Sequence, residues 1–142
     1  MSLYLDSSAF VKTLVDEPGS TELLAELAGH RLHFTCEITY AEACAALARA
    51  GRLGRLTADD IGHGLGRLND SWPDLQRLTV SDSLIHDAGE LAVRFNLRGY
   101  DAVQLAALVQ VPDLDGRPLL AAWDTELRTA ARSLGFELFP AG

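Results

Sequence analysis

Four carboxylates stand where the sequence could do chemistry. Asp6 closes the apolar stub Met1-Ser2-Leu3-Tyr4-Leu5 in YLDSSAFVK, and Asp124 closes the apolar stretch LLAAW. Asp101 follows RGY at the start of an apolar helix-like run, and Glu42 lies inside the alanine-rich run TYAEACAALARA. If the strands ending at Asp6 and Asp124 are parallel, both acids emerge on one edge of a sheet, where open α/β sheets carry their functional crevice. Small neighbours (Ala41, Ala43, Ala45 and Ala46) would let the Glu42 helix lie close to that edge. Converging carboxylates repel by ~3 kcal/mol per ionised pair at about 5 Å and an effective dielectric near 20. Such a cluster holds protons or recruits a divalent cation. Carboxylate and water ligands suit the hard ions Mg²⁺ and Mn²⁺. A metal there would polarise a phosphate oxygen, activate water and stabilise a leaving oxygen, which is phosphodiester hydrolysis.

Each acid also has a structural explanation. Asp is a preferred helix N-cap, and each of Asp6, Asp101 and Asp124, taken alone, reads equally well as a cap. A lone helical Glu usually sits in solvent. The coincidence of position, rather than any one residue, favours the metal site. The histidines His30, His33, His63 and His86 show no metal-ligand spacing and read as structural or surface residues.

These acids must be positioned by alternating strands and helices. Short apolar strands are expected at 1–5, 32–35, 78–80, 119–123 and 136–138. Helices are expected from Ser7 or Ser8 to about Val15, from Ser20 to Gly29, from Glu37 to Ala50 with Gly51 as the stop, and after Thr57 until Pro73. Ser83 opens a further helix, NLRGYD reads as a loop, and helices over Ala102–Val111 and Thr125–Leu134 follow. This order implies one α/β domain over residues 1–142, a three-layer α/β/α sandwich around a short, mostly parallel sheet.

Composition narrows the function classes. With 142 residues and 48% hydrophobic side chains, the chain can bury one proper core and is not disordered. The net charge of −8 excludes a protein that simply coats nucleic acid, so any contact with nucleic acid must be local. The cations are eleven arginines and one lysine, Lys12. Arginine suits bidentate phosphate contacts, and compositional bias explains the same count. Cys36 and Cys44 match no zinc spacing and read as free, mostly buried thiols in a reducing compartment. No leader and no membrane-length apolar run is visible, so a soluble, cytoplasmic protein is expected.

Taken in order, YLDSSAFVK, EPGS, TYAEACAALARA, RGYDAVQLAAL and WDTELRTAARSLGF resemble the PIN-domain ribonucleases, and most closely the VapC-type toxins of bacterial toxin–antitoxin pairs. The likeness spans residues 3 to 139. It implies an Mg²⁺- or Mn²⁺-dependent endoribonuclease. Carried over by position, the four acids are Asp6, Glu42, Asp101 and Asp124. The resemblance makes Asp6 and Asp101 the principal metal ligands, with Glu42 and Asp124 completing the pocket. It also implies a supporting hydroxyl, for which Thr125 is the candidate; Ser7 is a second, equally well explained by capping. One departure is Trp123, where the family has a small residue before the fourth acid; a core-facing Trp123 would change nothing, and a crevice-facing one would narrow the site or stack on a base. The implied partners are RNA, a homodimeric second copy and a cognate antitoxin, with the helices around residues 37 to 72 as its groove. Arg49, Arg52 and Arg55 there could contact RNA phosphates, or could simply favour the negative end of their helix.

Other classes fit less well. A phosphorelay receiver needs a lysine after a late strand, and a haloacid-dehalogenase-like phosphatase needs Asp-x-Asp after the first; the chain has neither. A non-catalytic PIN-like scaffold would have no need of all four acids. A housekeeping PIN nuclease in RNA processing shares the site, and only the lack of an appended domain separates it from the toxin reading.

Overall fold

The computed structural model describes residues 1–142. Five strands form one sheet: β1 (Leu3–Leu5), β2 (His33–Cys36), β3 (Gln76–Leu78), β4 (Leu119–Ala121) and β5 (Leu138–Phe139). Their spatial order is β3-β2-β1-β4-β5 and every pairing is parallel. The helices are α1 (Ser7–Leu14), α2 (Ser20–Ala28), α3 (Thr39–Arg52), α4 (Ala58–Ser71), α5 (Asp82–Phe95), α6 (Gly99–Gln110) and α7 (Thr125–Ser133). The expected α/β sandwich is therefore observed, with a sheet that is wholly parallel.

The period of two along a strand divides the core. Tyr4 and Leu120 face one layer, where they pack with Leu84, Leu105, Leu108 and Leu127 of α5, α6 and α7. Leu3, Leu5, Leu119 and Ala121 face the other, with Phe10, Leu14, Leu23, Leu47 and Leu68 of α1 to α4. The two central strands are buried on both faces, which is why their sequences read as unbroken apolar runs. In register, Leu5 lies opposite Ala121, so the chain leaves both strands at the same edge, toward Asp6 and Asp124.

Several boundaries differ from expectation. The cap of α1 is Asp6 itself, and Ser7 and Ser8 are its first helical residues. Helix α3 runs through Gly51 to Arg52; the left-handed turn falls at Gly54, with φ of 73°. The third strand is Gln76–Leu78 instead of 78–80, because this edge strand pairs through its backbone while Gln76 and Arg77 face solvent. The fourth and fifth strands are also shorter than expected. Ser81, not Ser83, caps α5, through a bond from the Leu84 N–H. Helix α6 starts at Gly99, so Asp101 sits inside its first turn and is not a cap.

Leu47 is fully buried where α3 meets α4, and Gly64 lets the helices approach there: a Cβ at Gly64 would lie 3.2 Å from Leu47 Cδ1 and from Val15 Cγ1. Leu47→Ala should lower the unfolding free energy by about 2–5 kcal/mol, read from urea denaturation with an unchanged slope.

Candidate active site

Asp6 and Asp124 arise from the same local logic. Each ends the extended chain after a central strand and caps the following helix. Asp6 Oδ1 accepts from the Ala9 N–H at 2.8 Å and from the Ser8 hydroxyl at 2.7 Å. Asp124 Oδ1 accepts from the Leu127 N–H at 2.9 Å. In both, the cap engages one carboxylate oxygen and leaves the other outside these bonds. Asp6 is only 4% exposed, whereas Asp124 is half-buried.

Asp101 is held differently. It is 6% exposed, and its Oδ2 is buried without a hydrogen-bond partner. The nearest cation, Arg98 Nε, is 4.0 Å away, beyond hydrogen-bond range. A buried, unsatisfied carboxylate oxygen costs free energy unless something approaches it.

The acids sense one another. Burial pushes the Asp6 carboxyl up to about 7; the Ala9 N–H and Ser8 hydroxyl oppose this, and the charges of Asp101 and Asp124 add to it. Burial likewise raises Asp101 to about 6, with Asp124 adding, Arg98 opposing, and Glu42 and Glu126 adding further. Asp6, Glu42, Asp101 and Asp124 thus all contribute to one local field at the carboxyl edge of the sheet.

Glu42 projects from α3 and is half-buried. Its Oε1 accepts from the Ser7 hydroxyl at 2.6 Å and from Gln104 Nε2 at 2.9 Å. Ser7 therefore binds an acid of the cluster instead of capping a helix. Gln104, Tyr4, Ser8 and Glu126 were not among the residues singled out by sequence. Gln104 had one available signal, as the single polar residue within AVQLAALV.

The other candidates lie farther out. Thr125 is exposed at the start of α7, directly after Asp124. A cleft of about 640 Å³ opens beside the acids, lined in part by Ser7, Ser8, Lys12, Glu42, Arg49 and Arg55. Arg52 is not part of its lining. Trp123 is not part of the cleft lining either: its ring meets Phe139 edge-on at 6.1 Å between centroids, lies under Lys12 Nζ at 4.7 Å, and abuts Gly19. Gly19 has φ of 96°, and a Cβ there would come within 2.9 Å of the indole. His30 and His33 bond to backbone carbonyls at the opposite end of β1 and β2. Both cysteines are free thiols; Cys36 is buried and Cys44 half-buried.

The donor set fits a hard divalent ion. No three His, Cys, Asp or Glu side chains close into a cage. Mg²⁺ commonly keeps several waters and takes only one or two protein carboxylates, with phosphate oxygens completing its shell. The orphaned Asp101 Oδ2 and the crowded negative charge are the features such an ion would relieve.

The raised carboxyls have a consequence for stability. Asp6 and Asp101 hold protons in the folded state up to about 7 and about 6, whereas the unfolded chain releases them near 3.8. Between these values the native state binds more protons, so stability falls as pH rises. Metal-free protein should melt lower at about pH 8 than at about pH 5. Asp6→Asn, which keeps the capping oxygen, and Asp101→Asn should flatten that slope by roughly 2–4 °C or more, as scanned in chelator-treated buffer.

The family model of the PIN domain matches residues 3–111. Ribonuclease VapC45 of Mycobacterium tuberculosis strain CDC 1551 is 34% identical over 139 residues, covering 98% of this chain and 95% of the relative. Ribonuclease VapC49 of Mycobacterium tuberculosis strain H37Rv matches with the same identity and coverage. Ribonuclease VapC46 of that strain is 32% identical over 134 residues, 94% of this chain and 93% of its own length. With nearly full-length relatives above 30% identity and a domain match over most of its length, the chain belongs to the PIN-domain family, and its relatives within that family are VapC ribonucleases.

Proposed function

We infer that this protein is a divalent-metal-dependent endoribonuclease and the toxin of a toxin–antitoxin pair, cutting RNA to leave 5′-phosphate and 3′-hydroxyl ends. The observation that carries the reading is the buried, partnerless Asp101 Oδ2, on a carboxyl that feels the charges of Asp124 and Glu42, in a chain whose nearly full-length relatives are ribonucleases.

Asp6 and Asp101 are the residues that would hold the ion. Mg²⁺ or Mn²⁺ supplies Lewis-acid polarisation of phosphate and a more acidic water. The protein's own contribution is placement. The Ala9 N–H and Ser8 hydroxyl hold Asp6 Oδ1 and leave its second oxygen outside these bonds. Asp124, fixed by its cap, supplies a further acceptor on the same edge. Glu42 accepts from Ser7 and Gln104 through one oxygen, which leaves the other to take a proton from, or orient, an attacking water. Thr125 and Ser7 add hydroxyls at the rim.

The neighbouring cleft gives a polyanion a route to these acids. Lys12 and Ser8 lie one helical turn apart on α1, and Arg49 in the last turn of α3 and Arg55 in the loop after it also line the cleft. Lys12 is tethered to Glu17 at 3.0 Å, so the two arginines are its untethered cations. The paired helices α3 and α4 are the surface assigned to the cognate antitoxin, and a cationic side chain of that partner would satisfy the acids much as a metal does. A homodimer follows from the family reading. No helix is long and apolar enough to cross a membrane; a cytoplasmic location is part of the family reading.

Purified protein incubated with cellular RNA should cleave it in Mg²⁺ or Mn²⁺ and stop when the ion is chelated. Asp6→Asn and Asp101→Asn should each lower kcat by roughly 10²-fold or more while still folding. Cleavage that survives chelation or both substitutions overturns the reading. Arg49→Ala and Arg55→Ala should instead raise KM with kcat nearly unchanged, and each should reduce the dependence of log K on log salt by about 0.7 for a lost single-strand phosphate contact.

A further inference from the structure

Gln104 is 3% exposed in the middle of an apolar helix, three residues past Asp101. Its amide touches four side chains from three other elements, β1, α1 and α3. The Tyr4 hydroxyl donates to Oε1 at 2.5 Å. Nε2 reaches Glu42 Oε1 at 2.9 Å, Ser7 Oγ at 3.0 Å and Thr39 Oγ1 at 3.0 Å. The two ends of this amide are not interchangeable. An ionised carboxylate only accepts, so the amino end must face Glu42; a turned amide would set two acceptor oxygens against each other. The Tyr4 phenol provides the hydrogen that the carbonyl end requires.

The network continues beyond Thr39. The Thr35 and Thr39 hydroxyls are 2.8 Å apart, and Thr35 donates to the Leu5 carbonyl at 2.7 Å. A ring of buried polar groups therefore leaves β1 at Tyr4, crosses α6, α3 and β2, and returns to β1 at Leu5, directly before Asp6. Satisfied networks of this kind rigidify what they connect. What they connect here is the helix bearing Asp101, the helix bearing Glu42 and the strand bearing Asp6.

We propose that Gln104, held in one orientation by Tyr4, is a positioning residue that fixes the Glu42 carboxylate relative to Asp6 and Asp101. Glu is a flexible side chain, and α3 is only half-covered around it. Ser7 and Gln104 both bind Oε1, which pins one oxygen and leaves the other outside these bonds, on a residue that lines the cleft. The role rests on the nuclease reading for its catalytic consequence, but not for its geometry.

The test uses full-length protein carrying Gln104→Met, which preserves length and burial, and Tyr4→Phe, which keeps the ring and removes only the orienting hydroxyl. Gln104→Met should lower kcat roughly 10–100-fold, as loss of an outer-shell partner does, with KM for RNA and Mn²⁺ affinity within about threefold of wild type. Tyr4→Phe should lower kcat in the same sense by less. NMR of the metal-free protein gives the second readout: the Gln104 side-chain amide should show two separated, slowly exchanging protons, and the Glu42 carboxyl carbon should shift in both variants. If Gln104→Met fails to fold, Tyr4→Phe decides alone. Wild-type kcat in the folded variants, or a Glu42 carbon unmoved by them, overturns the proposal. A wild type that cleaves no RNA while these shifts appear overturns the nuclease reading and leaves the positioning geometry supported.

Discussion

The whole arrangement depends on holding negative charge where water is scarce. Asp6 and Asp101 are nearly excluded from solvent, and each is raised first by burial and then by its acidic neighbours. An isolated buried carboxylate would neutralise or force the structure open. Here both carboxyls do hold protons, up to about 7 and about 6, while the surrounding framework resists opening. A wholly parallel sheet is clamped between two apolar layers, and the strands that deliver Asp6 and Asp124, β1 and β4, are both interior to it. Edge strands could shift to relieve the repulsion; central strands paired on both sides cannot do so cheaply. The tension therefore stays in the site, where an approaching cation would release it.

Capping and ligation are compatible because a carboxylate has two oxygens. Asp6 and Asp124 use Oδ1 for the helix N–H groups, an arrangement that fixes rotamer and direction together. Glu42 is divided in the same way by Ser7 and Gln104. Asp101 alone lacks such a tether, and its orphaned Oδ2 is the atom with most to gain from a ligand. The structural role of Asp6 and the proposed functional one are thus compatible: the cap occupies Oδ1 and leaves the second oxygen outside its bonds.

How much of this was legible in the sequence follows from what each signal measures. Apolar runs ending in Asp located the central strands and two of the acids, because burial on both faces leaves no polar interruption. The third strand was misplaced, since Gln76-Arg77-Leu78 pairs at the sheet edge and carries little apolar signal. Asp101 looked like a cap because GY precedes it, yet α6 begins at Gly99 and makes it helical. Gly51 looked like a stop, but α3 continues and turns at Gly54. The polar ring around Gln104 was invisible for a different reason. Gln104 stands out locally only as the lone polar residue of AVQLAALV, and Tyr4, Thr35 and Thr39 are ordinary in their windows; only the fold brings residues up to a hundred positions apart into one network.

An acidic protein that handles a polyanion must solve a second electrostatic problem. With a net charge of −8, long-range attraction to RNA is absent. At physiological ionic strength charges are screened beyond about 8 Å, so what matters is the pattern within that range. The cleft beside the acids has Lys12, Arg49 and Arg55 along its lining, while Glu42 and Ser7 mark where it meets the cluster. A phosphate chain following the cations arrives at carboxylates that repel it until a divalent ion intervenes. A peptide bearing a guanidinium is attracted to those carboxylates outright. On the proposed reading, the same charge pattern would make RNA binding conditional on metal and partner binding independent of it, a difference set by the sign of the ligand rather than by any change in fold.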